Sequence, residues 1–191
     1  MTCRVIFISP ASSSSLRRAR FDDGDPLDEA GAAQAAAAAG QLRAPGRAFV
    51  SPSVRSGQTA AALGLDAVAE RALAGLDVGR WRGRTLDEVA AAEPSELARW
   101  MADPDAAPHG GESVRDLCGR VAGWLAEDGE SDGRTVAVVE PEVVRAVVVQ
   151  VLGAPESAFW HVDVPPLAAT EISGRSGRWN LRVGRVLGPS D

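Results

Sequence analysis

The chain has 191 residues, with 20 Lys+Arg against 26 Asp+Glu and a formal net charge of −6; every basic residue is an arginine, because lysine is absent. Apolar residues make up 45% and charged residues 24%, a soluble globular mix long enough for one domain over residues 1–191 with a substantial core. The acidic balance argues against nonspecific nucleic-acid binding, which needs a basic footprint, and only Arg17, Arg18 and Arg20 cluster along the chain. Cys3 and Cys118 cannot build a disulfide scaffold, and with His109 and His161 the only histidines, neither a zinc site nor a cofactor is expected. Val5 to Ile8 is too short for a signal or membrane helix, so no membrane partner and a cytoplasmic location are expected.

Arg4 to Ser9 is a β-branched and aromatic run ending at Pro10, which predicts a buried strand. The serine run Ser12 to Ser15 reads as a capping or flexible loop. Asp28-Glu29 opens an alanine-rich helix expected to reach about Leu42, stopped by Ala44-Pro45-Gly46. Ala48 to Val50 predicts a strand ending in Ser51-Pro52. A helix from near Val54 then carries Arg55 in its first turn, where backbone N–H groups favour anions. Thr135 to Val139 predicts an apolar strand leading through Glu140-Pro141-Glu142 into a helix from Val143 to Leu152. Ala168 to Ile172 and Trp179 to Val183 read as strands joined by the Gly-rich turn Ser173 to Gly177. Strand–helix alternation closed by a hairpin predicts a three-layer α/β/α sandwich with a mostly parallel central sheet. Ligands of such sheets bind beyond the carboxyl ends of the strands, where Ser9-Pro10, Ser51-Pro52 and Glu140-Pro141 fall.

Those strand ends carry a resemblance. Arg20-Phe21 falls where an Arg-Phe pair follows the first strand of the histidine phosphatase (phosphoglycerate mutase-like) superfamily. Asp25 to Ala35 is similar to the family's "D-x-P-L-T-x-x-G-x-x-Q-A", and Ser51 to Ala60 to its "S-P-L-x-R-A-x-Q-T-A". Leu76 to Gly83 resembles "I-D-F-G-x-W-E-G". Gly110 to Ser113 with Arg120 resembles "G-G-E-S…R", and Val138 to Arg145 sits on "V-S-H-G-G-V-I-R". The Phe159 to Val164 tail is also like that of bacterial members.

The resemblance implies a phosphoglycerate mutase-like fold, and it implies where this chain departs from the family chemistry. There, a histidine at the first strand end attacks phosphorus, two arginines and a second histidine hold the phosphoryl oxygens, and an acid protonates the leaving group. The nucleophile position falls on Pro10, the preceding arginine on Ser9, the second histidine on Glu140 and the acid on Gly75. Arg55 remains from the central set, with Arg20 at the rim. No histidine precedes position 109, so no shift of register restores one.

Arg55 and Glu140 are expected to face each other, as a structural ion pair or as a working pair in which Arg55 orients a substrate and Glu140 is a general acid or base. The resemblance implies that Ser13 faces the pocket and that the segment carrying His109 borders it. Glu112 either lines the pocket or caps the following helix. His161 and the tryptophans Trp81, Trp100, Trp124, Trp160 and Trp179 read as packing residues. Three functions fit these residues: a binding or regulatory pseudoenzyme, a repurposed enzyme acting on a non-phosphorylated small molecule, or a weak phosphomonoesterase. The residues name no substrate and no partner.

Overall fold

Alternating apolar residues on the strands decide which helices cover each face of the sheet. The computed structural model describes residues 3–127, 133–175 and 177–188. In chain order these form β1 (Cys3–Ile8), α1 (Ser14–Arg17), α2 (Glu29–Ala37), β2 (Arg47–Val50), α3 (Val54–Ala62) and β3 (Val68–Ala69). Then come α4 (Leu86–Ala92), α5 (Pro94–Ala102), α6 (Val114–Glu127), β4 (Arg134–Val138), α7 (Pro141–Leu152), β5 (Ala168–Arg175) and β6 (Arg178–Val186). The sheet order is β3-β2-β4-β1-β5-β6. The strands β3, β2, β4 and β1 run parallel, and β5 and β6 add an antiparallel edge.

Val5 and Phe7 of β1 point to one face, where Ala137 and Ile172 join them against Leu117, Val121 and Trp124 of α6 and Val144 and Val147 of α7. Ile6 and Ile8 point to the other, where Val136 and Val138 meet Ala35 of α2 and Ala60 of α3. This period-2 split buries both faces and gives the expected three layers. A third cluster, Val78, Trp81, Val89 and Trp100, lies beside α4 and α5 with Phe21 and Trp160 packed on it. No helix among the described residues is long and apolar enough to cross a membrane.

The alanine helix packs close to the chain after β1 because of Gly31: a Cβ there would lie 2.1 Å from the Ser12 carbonyl oxygen. Asp28 caps that helix by accepting from the Gly31 N–H at 2.8 Å. It ends at Ala37, short of the expected Leu42, because the chain turns through Gly40 at φ +80°. The final hairpin is longer than expected, with pairing continuing through Ser173↔Asn180 and Gly174↔Trp179 to Arg175↔Arg178. The expected turn therefore supplies strand residues Ser173 to Arg175. His161, expected to pack, is exposed at the end of a 3-10 turn over Glu156–His161.

Candidate functional site

The parallel register sets Ile8 and Val50 on either side of Val138. The segments that follow, Ser9-Pro10, Ser51 to Ser53 and Val139-Glu140, therefore emerge together at the carboxyl end of the sheet. Helix α3 starts there, with Ser53 as its cap accepting from the Ser56 N–H at 3.2 Å, so Arg55 lies in its first turn. Helix α7 starts at Pro141, and Glu140 makes no side-chain cap to its own helix. Its carboxylate reaches α3 instead.

Arg55 and Glu140 are both buried, at 7% and 3% exposure. Arg55 Nε donates to Glu140 Oε1 at 3.1 Å and Oε2 at 2.9 Å, and Nη2 makes a short bond to Oε2. The hydroxyls of Ser53 and Ser56 donate to Oε1 at 2.6 and 3.1 Å. Both carboxylate oxygens are thus occupied by donors from one helix. Burial alone lowers the Arg55 pKa, but the Glu140 hydrogen bonds and charge override it, and the net shift is upward. Burial raises Asp22, with Arg55 opposing and Glu140 reinforcing the shift. Burial and then the Glu140 charge raise Glu142. Glu140 is thus the carboxylate in contact with Arg55, and the charges of Asp22 and Glu142 act on it in the same direction.

The dent lined by Ser9, Pro10, Ala11, Leu16, Arg55 and Pro141 has a volume of about 10 Å³, at the threshold for a single water. Ser9 is used structurally, donating to the Pro165 carbonyl at 2.6 Å and accepting from the Ala168 N–H at 3.0 Å. The serine run is engaged too. Ser12 donates to Asp28 at 2.8 Å, Ser14 to Asp25 at 2.9 Å, and Ser15 makes a short bond to Asp25. Ser13 caps α1 and takes a long 3.4 Å contact from Arg55 Nη1.

Gly75 lies against the pair, where a Cβ would sit 3.0 Å from Glu140 Cγ. Its loop is held by Arg120, which donates to the carbonyls of Ala72 and Ala74 at 2.9 and 3.0 Å. Glu112 accepts from Arg120 at 2.9 and 2.7 Å, so it braces that loop and does not cap α6. Ser113 and Asp116 do the capping reciprocally: the Asp116 N–H donates to Ser113 Oγ at 3.1 Å and the Ser113 N–H to Asp116 Oδ2 at 3.3 Å.

Two candidates lie apart from the pair. The His109 ring is 5.0 Å from that of Trp81 and 5.7 Å from that of Trp100, inside the aromatic cluster, and its Nδ1 accepts from the Gly111 N–H at 3.0 Å. Burial is the main reason its pKa falls, with Asp77 opposing and Arg80 adding. Arg20 sits 4.0 Å from Asp23, in a bridge opposite Thr85. The sequence reading missed Ser53, Ser56, Asp22 and Glu142; the serines flanking Arg55 at a helix start were the available signal.

The fold agrees with the comparisons. The signature of the histidine phosphatase superfamily (branch 1) matches residues 10–185, and the chain belongs to that family. It is 42% identical over 106 residues to "Bifunctional protein Rv2228c" of Mycobacterium tuberculosis, a match covering 51% of this chain and 29% of that protein. It is 33% identical over 106 residues to "Phosphoserine phosphatase 1" of Hydrogenobacter thermophilus, covering 54% of this chain and 50% of that one. The matched stretch thus spans half or less of these relatives. Among solved structures, mycobacterial glucosyl-3-phosphoglycerate phosphatase Rv2419c superposes with a TM-score of 0.81 at 26% identity, covering 99% of this chain and 100% of that one.

Proposed function

We propose that this chain has lost the phosphohistidine reaction of its family and works by binding, as a regulatory or scaffolding protein. The observation that carries this reading is Glu140 closed onto Arg55, with both of its carboxylate oxygens engaged. Pro10, at the end of β1, has its nitrogen in a peptide bond and offers no lone pair to phosphorus. Losing a catalytic nucleophile costs up to about a millionfold, roughly 8 kcal/mol of barrier. A phosphate about 4 Å from Glu140 meets about 4 kcal/mol of repulsion per unit charge at an effective dielectric of ~20, which offsets the attraction of Arg55.

The test is aryl-phosphate and phosphoserine hydrolysis from about pH 5 to about pH 9, the range in which acid–base groups of such sites titrate, comparing wild type with Arg55→Ala. No turnover above the variant's is expected. Turnover that Arg55→Ala abolishes would sink the proposal. It would favour weak phosphomonoesterase activity, the reading that the phosphatase names of the similar proteins support. Repurposed acid–base chemistry at Glu140, with Arg55 orienting a non-phosphorylated small molecule, finds less support, because both carboxylate oxygens already accept hydrogen bonds.

A further inference from the structure

The arginines of the final hairpin are scattered in sequence but converge on one sheet face. Cross-strand partners share a face, and residues two apart on a strand return to it. The register sets Arg134 opposite Arg4, Arg4 opposite Ser173 and Ser173 opposite Asn180. It also sets Glu171 opposite Arg182, Arg175 opposite Arg178 and Ala169 opposite Arg185. The 3.2 Å pair between Arg4 and Glu171 confirms that β1 and β5 present these positions on the same side. Arg4, Arg134, Arg175, Arg178, Arg182 and Arg185 thus share a face with a single strand carboxylate, Glu171. Arg175, Arg178, Asn180, Arg182 and Arg185 are exposed. Among the described residues, Arg134, Arg175, Arg178, Arg182 and Arg185 carry no ion pair.

β6 is also the last strand of the sheet, so one side of its backbone has unpaired N–H and C=O groups. We propose that this arginine face and the free edge of β6 together dock an acidic, extended segment of a partner protein. The segment adds to the sheet as a seventh strand, its alternate carboxylates lying over Arg178, Arg182 and Arg185. Backbone pairing supplies affinity and the arginines supply specificity, as in strand-addition recognition.

The same face disfavours other occupants. A second copy paired through β6 would set arginines against arginines. Single-stranded nucleic acid needs aromatic platforms, and the hairpin's Trp179 and Leu181 pack instead against the core beside α7, on the opposite face. Most of the arginine face lies toward the amino end of β1, away from Arg55 and Glu140. The proposal therefore holds whatever the pocket does.

The test uses the whole chain and a fluorescent octapeptide of alternating Glu and Val, read by anisotropy at low salt and by amide hydrogen exchange. Binding tighter than about 1 mM is expected, weakening about threefold to fivefold for each of Arg178→Glu and Arg182→Glu. Alternate β6 amides should gain protection when the peptide is bound. Arg182→Gln, a milder change on an exposed residue, should weaken binding in the same direction. Three results would overturn the proposal: affinity indifferent to these charges, no added β6 protection, or tighter binding of a single-stranded oligonucleotide or of phosphatidylserine vesicles.

Discussion

Glu140→Ala isolates what the buried pair contributes. It leaves the Arg55 guanidinium, 7% exposed, with its 3.4 Å contact to Ser13 and no counter-ion in contact. With charge centres ~4 Å apart and an effective dielectric of ~20, the pair attracts by about 4 kcal/mol. Desolvating the two ions costs several kcal/mol each, so the intact pair contributes little net stability. Deleting one partner removes the attraction and keeps the other's desolvation cost, a loss of about 3–5 kcal/mol. Ser53 and Ser56 also lose their acceptor. In a chain of this size about 2–4 °C of melting temperature corresponds to each kcal/mol, so the variant should melt about 6–20 °C below wild type. The double replacement Arg55→Met with Glu140→Leu should recover most of that, because no unpaired ion remains. Urea and thermal unfolding measure both. If Glu140→Ala melts within about 2 °C of wild type, the claim that this ion pair closes the site is wrong.

Gly31→Ala should destabilise by about 3 kcal/mol or more, because its methyl would meet the Ser12 carbonyl oxygen at 2.1 Å; a melting curve like wild type would refute that packing. Acid should destabilise the fold below the ordinary carboxylate range. Glu93 drops from 4.5 to about 2, chiefly through its hydrogen bonds from Arg80 and then Arg84, and Asp25, Asp28 and Asp116 are lowered by hydrogen bonds from Ser15, Gly31 and Ser113. A depressed carboxylate contributes stability above its unfolded value that disappears as pH falls through its folded value. The loss should therefore run from about pH 4.5 to about pH 2, and Glu93→Gln should flatten the melting-temperature profile there. Asp22 and Glu142, shifted upward, act in the opposite sense. Burial pushes the Cys118 thiol up to about 11. It should resist a thiol-disulfide reagent at neutral pH until the protein unfolds, and rapid modification of the native chain would contradict its placement in the core.

Much of the frame was legible because its signals are local. Val5 to Ile8 and Thr135 to Val139 are apolar runs ended by Pro10 and Pro141, and these placed the strand ends and hence the Arg55–Glu140 encounter. The two-residue β3 and the helices α4 and α5 were not expected, and α6 was expected only as the helix following Glu112. Val68 and Ala69 are both exposed, so they give no hydrophobic pattern; the local signals for the helices are the Thr85–Glu88 capping box of α4 and Pro94 at the start of α5. His109 and Trp81 are separated by many residues, so only tertiary packing brings their rings together. The arginines around β6 were invisible as a patch for a different reason. Their spacing acquires meaning only through pairing with β5, and the pairing is irregular between Ala169 and Glu171.

The Glu140 carboxylate is tethered to the cleft it fills. An anion arriving from solution competes with a group whose effective concentration is about millimolar or higher and which gives up no translational freedom to stay. Arg55 is in this sense occupied from within the chain. Displacing it takes phosphate or a small acidic solute at a concentration above that local one.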